Sequence, residues 1–523
     1  MSTLPGSVAD GLHTLGRWPG DRARIAPARV AIVDRGVELT YGQLDQRVRG
    51  LAARLREAGI GRGDRIATLV GNSTCHVVLF FACAQVGACL APLSWRLAPR
   101  ELARQVDLLA PVVLVTEEET EALARELAGL LLRPVPTAYL TVLDTDGGLP
   151  RVRPASAPVE AVQDEDALLA VFTSGTGSAP KAAVLSQRAC WWTNLSLSRT
   201  VELSEDDVVL AVLPQFHVGG WNIQPLLAWW TGATVVLERS FDPGRVLSLI
   251  RERRVTTMMG VPTQYLMLAE HPSFPGSDLR SLRSAIVGGA PMPAPLLRTF
   301  HARGVALTQG YGLTEAGPNV LCLPPPEAID RAGWAGVPYP HVDVALMDPA
   351  TGALLEGPAT GELLVRGPGL FSGYLHDETA THEALRAGWL ATGDVATRDE
   401  GGYLRIVDRL KNIYISGGEN VAPAEVEAVL RRHPAVAEAG VTGVPHPRWG
   451  EVGLALVVTR AGVPTDEQDL LEHCRRELAS FQVPERVLEV DAIPTVGIGK
   501  VDRQALRDLA RDLHPADVSG GPR

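Results

Sequence analysis

The chain has 523 residues, a formal net charge of −11 and a pI near 5.6. This length predicts a large multi-layered unit plus a smaller one, and the acidic balance argues against nucleic acid or an anionic membrane as a partner. Six scattered cysteines form no C-x-x-C pair, and the most apolar run, residues 77–93, is too short and too interrupted to cross a bilayer. We therefore expect a cytoplasmic protein without disulfide bonds.

Helical and strand patterns alternate along the first 300 residues or so. A T-x-x-Q capping box at Thr40 opens an amphipathic helix that stops near Gly59. Further helices are predicted at 76–86 and 245–253, and strands at 66–70, 88–91, 112–115, 167–172, 208–213, 233–237 and 284–287. The alternation predicts an α/β fold class, a large N-terminal domain of doubly wound, mostly parallel sheets.

The pattern changes in the last third of the chain. Short strands and turns at 342–375 predict a small β-barrel-like subdomain, and a capping box at Thr465 opens a helix of a small α+β unit. We expect an N-terminal domain at 1–408, a hinge at 409–411, a mobile C-terminal domain at 412–513 and a flexible tail at 514–523.

A glycine-broken loop, T-S-G-T-G-S-A-P-K, follows the predicted strand at 167–172. Its glycines let main-chain N–H groups point inward, and its hydroxyls and Lys181 add donors and charge, which suits a phosphate. Pro180 and the alanine after the lysine exclude the P-loop of NTPases. The chain has only three lysines, Lys181, Lys411 and Lys500, among 49 basic residues, so these positions select against arginine.

Two more predicted strands end in glycine-rich segments. The strand at 284–287 leads into G-G-A-P at 288, and residues 306–307 lead into Q-G-Y-G-L-T-E at 309. Ligands bind outside the carboxyl ends of the strands in open parallel sheets. The three glycine-rich exits therefore predict one shared site.

Seven segments in order resemble the acyl-adenylate-forming superfamily, which contains acyl-CoA synthetases, peptide-synthetase adenylation domains and firefly luciferase. They are T-S-G-T-G-S-A-P-K at 173, L-P-Q-F-H at 213, G-G-A-P at 288, Q-G-Y-G-L-T-E at 309, T-G-D at 392, D-R-L-K-N at 408 with G-G-E-N at 417, and P-T-V-G-I-G-K at 494. A single motif is weak, but seven in order across nearly the whole chain are specific.

The resemblance implies binding sites for ATP, an acyl group and coenzyme A. The residues implied for ATP are Thr173, Ser174, Gly175, Thr176, Gly177, Ser178, Lys181, Gly289, Ala290, Pro291, Tyr311, Gly312, Thr314, Asp394, Ile406, Arg409 and Lys500. Those implied for the acyl group are His217, Val218, Gly219, Trp221, Asn222, Met259, Gly260, Val287, Gly288, Gly310 and Asn319. Those implied for coenzyme A are Ser416, Gly417, Gly418, Glu419, Arg448 and Trp449.

The resemblance also implies roles in catalysis. The implied catalytic residues are Lys500, Glu315, Thr314, Thr176 and His217. Glu315 matches the Mg²⁺ ligand, and Lys500 supplies the positive charge needed where a carboxylate meets a phosphate. His217 matches a positioning or gating group, although a lone histidine is also often a core residue. Lys411 matches the hinge between two domain orientations.

The implied reaction has two half-reactions. A carboxylic acid and ATP give an acyl-adenylate and pyrophosphate, and coenzyme A then gives acyl-CoA and AMP. The implied acid is bulky: aromatic, alicyclic or terpenoid. Two alternatives stay open, an enzyme that loads a carrier-protein phosphopantetheine and a non-catalytic nucleotide- or acyl-binding protein, the latter because Gly177 and Ser178 depart from the usual loop. The expected partners are small molecules, and the expected state is a monomer or homodimer.

Overall fold

A computed structural model describes residues 11–143, 148–153, 160–173, 180–290, 292–416, 419–460, 462–496 and 500–513. The chain divides into two compact units. The first comprises Met1–Val344 with Val365–Ala391, and the second comprises Ala345–Leu364 with Thr392–Arg523. The loop residues 174–178, Pro291, Gly417, Gly418 and the predicted tail 514–523 lie outside the described residues.

The α-helices alternate with strands through most of the first unit, as the sequence predicts. The α-helices of the first unit are α1 Trp18–Ile25, α2 Tyr41–Glu57, α3 Thr74–Val86, α4 Pro99–Leu109, α5 Glu121–Ala128, α6 Gln187–Ser198, α7 Gly219–Asn222, α8 Pro225–Thr231, α9 Pro243–Glu252, α10 Pro262–Glu270, α11 Ala294–His301 and α12 Glu378–Ala384. Those of the second unit are α13 Pro423–Leu430, α14 Glu467–Glu477 and α15 Arg503–Leu513.

The strands are short and mostly apolar. They are β1 Val30–Asp34, β2 Val37–Thr40, β3 Arg65–Leu69, β4 Cys89–Pro92, β5 Val113–Thr116, β6 Thr137–Tyr139, β7 Ala167–Thr173, β8 Lys181–Ser186, β9 Val208–Ala211, β10 Thr234–Leu237, β11 Thr257–Gly260, β12 Ser284–Val287, β13 Ala306–Tyr311, β14 Leu321–Cys322, β15 Val337–Pro338, β16 Asp343–Met347, β17 Leu354–Leu355, β18 Ala359–Arg366, β19 Gly373–Tyr374, β20 Leu385–Arg386, β21 Trp389–Arg398, β22 Leu404–Arg409, β23 Tyr414–Ser416, β24 Glu419–Val421, β25 Val436–His446, β26 Gly450–Thr459, β27 Arg486–Glu489, β28 Thr495–Val496 and β29 Lys500–Val501.

Two large sheets form the first unit. One has the strand order β15-β14-β13-β12-β11-β9-β10-β1-β2, and its strands from β13 to β1 are parallel. The other has the order β19-β8-β7-β4-β3-β5-β6, parallel from β7 to β6. Such strands are apolar throughout because helices cover both faces of a parallel sheet. The predicted fold class is confirmed.

Smaller sheets account for the remaining strands. The predicted short strands after residue 342 form a sheet with the order β17-β16-β18-β21-β20, in which β22 pairs with β21. In the second unit a sheet with the order β24-β23-β26-β25, with β27 beside β26, packs a core that includes Val426, Leu430 and Leu470. Helices α13 and α14 contribute these residues, so this part of the unit is α+β.

Helix caps test the sequence prediction at the level of single residues. At α2 the predicted box is present, because the Thr40 side chain accepts from the Gln43 N–H and the Gln43 side chain accepts from the Thr40 N–H. At α14 the predicted cap at Thr465 is wrong by one residue. Asp466 caps this helix by accepting from the Asp469 N–H, and a carboxylate also suits the positive end of the helix dipole.

In the described part of the chain, no helix is long and apolar enough to cross a membrane. All six cysteines carry free thiols.

Candidate active site

The carboxyl ends of four parallel strands meet at one edge of the larger sheet. In the register, Gly260 at the end of β11 lies beside Val287 at the end of β12, and Val287 lies beside Gln309 of β13. Met259 lies beside Ala211 of β9, after which the L-P-Q-F-H segment begins. The structure thus brings together two of the three strand exits that the sequence predicts to share a site, those after β12 and β13, whereas the third follows β7 in the other sheet.

Gly288 packs closely between its neighbours at this edge. A β-carbon at this position would lie 3.0 Å from Cε of Met259 and 3.2 Å from the carbonyl oxygen of Gly310. Three of the predicted acyl-binding residues are therefore neighbours. A larger side chain at Gly288 would push Met259 aside or fill the space beside it.

The segment that carries His217 is held by side chains from the loop after β3 and from helix α3. The Asn72 amide donates to the Leu213 carbonyl at 2.9 Å, and its oxygen accepts from the Gln215 N–H at 2.8 Å. The Gln215 side-chain oxygen lies 3.0 Å from Nδ1 of His76. Burial lowers the pKa of His76 to about 4, so its ring is neutral near pH 7. These contacts fix the segment on which His217 stands half-buried.

Trp221 and Asn222 are among the predicted acyl-binding residues that are fully buried. The Trp221 indole stacks on Phe80 at 4.6 Å and donates its N–H to the Gln215 carbonyl at 2.6 Å, so this residue is part of the core that supports the site. The Asn222 amide donates to the Gly317 carbonyl at 2.8 Å, and the Asn222 carbonyl accepts from Nδ2 of Asn319 at 3.2 Å. These bonds join the His217 segment to the turn after β13.

The strands on either side of the predicted phosphate loop, β7 and β8, pair antiparallel. Thr173 at the end of β7 pairs with Lys181 at the start of β8. The Lys181 ammonium lies 5.3 Å above the Tyr374 ring and 3.9 Å from the Asp377 carboxylate. The lysine is thus oriented by an aromatic face and an acidic group beside the strand β19, which pairs with β8.

Glu315, the predicted Mg²⁺ ligand, follows β13 in a short turn. The Tyr374 hydroxyl donates to Oε1 of Glu315 at 2.8 Å, and the Phe371 N–H donates to the Glu315 carbonyl at 2.9 Å. Tyr374 therefore touches both Glu315 and Lys181. Tyr374 was not among the residues predicted for the site, because its G-Y dipeptide alone carries no signal for this role.

The donor types at this turn fit a hard cation. Glu315 offers a carboxylate and Thr314 a hydroxyl, and Mg²⁺ is held in nucleotide sites by one or two such oxygens together with waters and phosphates. Among the described residues no group of three or more His, Cys, Asp or Glu could hold a metal ion by itself. This donor set suits Mg²⁺ that arrives with ATP.

The predicted adenine wall follows β12 and β13. Gly289 has φ of +81°, which favours glycine, and Ala290 comes next. Tyr311 ends β13, and a β-carbon on Gly312 would lie 1.4 Å from the Pro318 carbonyl oxygen. Only glycine fits at position 312.

In the second unit, Asp394 and Arg409 are cross-strand neighbours on β21 and β22. The Arg409 Nε lies 3.0 Å from the largely buried Asp394 carboxylate. Ile406 is on the same strand as Arg409. The Lys411 pKa is lowered, first by burial and then by the positive charges of Arg409 and Arg507.

The described residues predicted for coenzyme A also gather in the second unit. Ser416 pairs with Glu419 across the β23–β24 hairpin and with Gly450 at the start of β26. The turn before β26 carries Arg448, whose guanidinium lies 4.6 Å from the centre of the Trp449 ring. Trp449 is 45% exposed, so its ring can stack on a ligand. The backbone of Lys500 begins β29 in a separate hairpin with β28.

This chain belongs to the AMP-binding enzyme family, whose model matches residues 20–375; a model for the AMP-binding enzyme C-terminal domain matches residues 425–500. The predicted acyl-adenylate-forming superfamily is thereby confirmed. The chain is an AMP-forming acid–thiol ligase, an ATP-dependent acyl-CoA synthetase, and the reactants and cofactor predicted from sequence are those of this class: ATP, Mg²⁺, a carboxylic acid and coenzyme A.

Similar proteins cover nearly the whole chain. A feruloyl-CoA synthase from an Amycolatopsis species is 42% identical over 94% of this chain and 98% of its own. An indoleacetate–CoA ligase from Aromatoleum aromaticum is 36% identical over 95% of this chain and 98% of its own. The solved structure of o-succinylbenzoate CoA synthetase from Bacillus subtilis with an acyl-adenylate has a TM-score of 0.84 and 29% identity, covering 94% of this chain and 98% of that one.

Proposed function

We propose that this enzyme activates an aromatic carboxylic acid and transfers it to coenzyme A. The observation that carries the proposal is that the relatives aligned over nearly the full chain are named for aromatic acids: feruloyl, indoleacetate and 2-succinylbenzoate. The site is compatible with a flat ring, because Gly288 and Gly310 carry no side chain where the strands end. The sequence analysis implied an aromatic, alicyclic or terpenoid acid, and of these three classes we propose the aromatic one.

The first unit would hold the reacting groups of the adenylation step. Lys181 and the loop before it would bind the β- and γ-phosphates, and Tyr311 would offer its ring to the adenine. Glu315 would bind Mg²⁺, which when bound supplies positive charge to the phosphates. The acyl group would lie at the strand ends, beside Met259 and Gly288.

In the first half-reaction a carboxylate oxygen attacks the α-phosphorus, the bond from this phosphorus to the bridging oxygen breaks, and pyrophosphate leaves. Because two anions must approach each other, the charge of Lys500 and the donor at Thr314 would stabilise the transition state. In the second half-reaction the deprotonated thiol attacks the acyl carbon, the bond from that carbon to the phosphate oxygen breaks, and AMP leaves. His217 would hold the acyl group in position for both half-reactions.

The second unit would bind the ribose and coenzyme A. Asp394 would accept hydrogen bonds from the ribose hydroxyls, with Arg409 holding its carboxylate in place. Arg448 and Trp449 would bind the phosphates and adenine of coenzyme A. Lys411 would serve as the hinge of a C-terminal domain at 412–513 that alternates between the two half-reactions, and the proposed N-terminal domain would end at residue 408.

This function is tested by measuring ATP–pyrophosphate exchange with a panel of aromatic, alicyclic, terpenoid and fatty acids. Coenzyme A is then added to the reaction with the best acid. We expect exchange to be fastest with an aromatic acid and an acyl-CoA to form with release of AMP. Faster exchange with a fatty or terpenoid acid would refute the aromatic class. Exchange without an acyl-CoA product would instead favour a carrier-protein phosphopantetheine as the acceptor, and no exchange with any acid would favour a binding protein.

A further inference from the structure

A small cavity lies among strands and helices and is lined in part by predicted acyl-binding residues. Its lining includes Gly219, Gly220, Gln224 and Met259 together with residues 209–213 and Pro225. Its volume is about 10 Å³, counted as the positions open to the centre of a water molecule, which is about what one water molecule needs. Gln224 is the one polar side chain of this lining.

The Gln224 amide is buried, with its nitrogen paired and its oxygen unpaired among the described residues. Its side-chain nitrogen donates to the Thr257 hydroxyl oxygen at 2.7 Å, and the Ser284 hydroxyl donates to the same oxygen at 3.1 Å. The structure places Nε2 of the amide, and not Oε1, against the Thr257 hydroxyl. Oε1 of Gln224 is then left without a partner among the described residues, although the residue is only 1% exposed. A buried unpaired acceptor is unfavourable unless something fills it.

The depth of Gln224 matches the length of a short aromatic acid. Its partner Thr257 begins β11, and Gly260 at the carboxyl end of that strand is three residues away, about 10 Å along the strand. The carboxylate of the acid must lie near that strand end, where the phosphate chemistry takes place. A benzene ring on a short carbon spacer spans roughly this distance, so its far edge would reach Gln224.

We propose that Oε1 of Gln224 accepts a hydrogen bond from a hydroxyl group on the far side of the substrate ring, so that the enzyme selects hydroxylated aromatic acids. This inference rests on the proposed function. The ring lies beside Met259 and Gly288, and only the hydroxyl oxygen enters the cavity, whose volume suits one oxygen atom. The rest of the lining is apolar, so an acid without the hydroxyl leaves Oε1 unpaired and gains nothing in exchange.

The first arm of the test uses the unchanged enzyme and two acids that differ by one group, 3-phenylpropenoic acid with and without a hydroxyl at the ring position opposite the chain. The readout is kcat/KM for acid-dependent pyrophosphate exchange. We expect the hydroxylated acid to be preferred by about 10-fold or more. A preference under about 3-fold would overturn the inference and leave the proposed function standing, whereas failure of every aromatic acid would overturn both.

The second arm uses Gln224→Met, which keeps the size of the side chain and removes the acceptor. We expect the preference to fall to within about 3-fold of equality, mainly through loss of activity on the hydroxylated acid. Gln105→Met is the matched control, because Gln105 is also a buried glutamine with an unpaired Oε1 but lies on α4, outside the cavity lining. Its preference should equal that of the unchanged enzyme.

A preference that survives in Gln224→Met would show that another group reads the hydroxyl and would overturn the assignment. Gln224→Asn covers the case in which the methionine variant does not fold, since it keeps the amide but withdraws it by one methylene. This variant should also lose the preference. A preference retained by Gln224→Asn equally overturns the inference, because the shortened amide cannot reach the same oxygen.

Discussion

Tyr374→Phe is the most direct test of how the Mg²⁺ site is built. The change removes one hydroxyl, which donates at 2.8 Å to Oε1 of Glu315, and keeps the ring that faces Phe371 and Lys181. A hydrogen bond to a charged group contributes about 1.5–3 kcal/mol. Because Tyr374 and Glu315 are only half-buried, water replaces part of the lost hydrogen bond. We therefore expect a loss at the lower end of that range, about 1.5 kcal/mol.

A loss of about 1.5 kcal/mol corresponds to roughly 10-fold. We expect Tyr374→Phe to lower kcat/KM for ATP in pyrophosphate exchange by about that factor and to raise the Mg²⁺ concentration needed for half-maximal rate, since Glu315 is no longer held in one orientation. The assay is exchange at saturating acid over a range of ATP concentrations, repeated at several Mg²⁺ concentrations. The thioester step from supplied acyl-adenylate should change little.

Tyr41→Phe is the control for a merely structural effect. The Tyr41 hydroxyl donates at 2.6 Å to the Ala233 carbonyl in the core, far along the chain from the predicted ATP residues. Its loss should lower the free energy of unfolding and leave the Mg²⁺ dependence unchanged. If Tyr374→Phe stays within about 2-fold of the unchanged enzyme at every Mg²⁺ concentration, the hydroxyl does not position Glu315 and the reasoning fails.

Lys500, Asn72 and His76 each give a further prediction. Lys500→Ala should abolish most of the adenylation while sparing thioester formation from supplied acyl-adenylate, measured as two separate rates; equal losses would exclude its charge from the first step. Asn72→Ala should lower the free energy of unfolding in denaturant by about 2–4 kcal/mol, because it cuts bonds of 2.9 and 3.1 Å to the Leu213 and Glu238 carbonyls and one of 2.8 Å from the Gln215 N–H. His76 has a pKa of about 4 in the folded protein and an ordinary value of 6.5, so it binds its proton more readily in the unfolded chain. The free energy of unfolding should therefore fall by about 3 kcal/mol as the pH falls from 6.5 to 4. A His76→Gln variant that shows the same loss of stability across that pH range would contradict this prediction.

Local sequence rules located the elements but not their partners. The strand predicted at 284–287 has those bounds in the structure, because the glycines that follow end it sharply. The strand predicted at 208–213 stops at Ala211, since the chain turns away there into the L-P-Q-F-H segment. The cap of α14 was misplaced because Thr465 and Asp466 are adjacent and both are good caps.

The site shows the same division. The glycine-rich segments after the strands predicted the location of a site, because the carboxyl ends of parallel strands lie at the same edge of a sheet. Tyr374 and Glu315 are 59 residues apart, and Gln224 and Thr257 are 33 apart, so no periodicity or spacing joins either pair. Such contacts depend on which strands are neighbours in a sheet, and strand order is a property of the whole fold.

The scarcity of lysine now has a physical explanation at two of its three positions. The Lys181 ammonium approaches both a tyrosine face and a carboxylate, and the pKa of Lys411 is already lowered, by loss of hydration and by the positive charges of Arg409 and Arg507. A guanidinium is broad, planar and always charged, so an arginine at Lys411 would add a third permanent positive charge to this cluster. Lysine can reach into a crowded site as a narrow point charge, and it can lose its proton where burial disfavours the charged form. In a chain that otherwise uses arginine, lysine therefore marks the places where the size and the pKa of the cation matter.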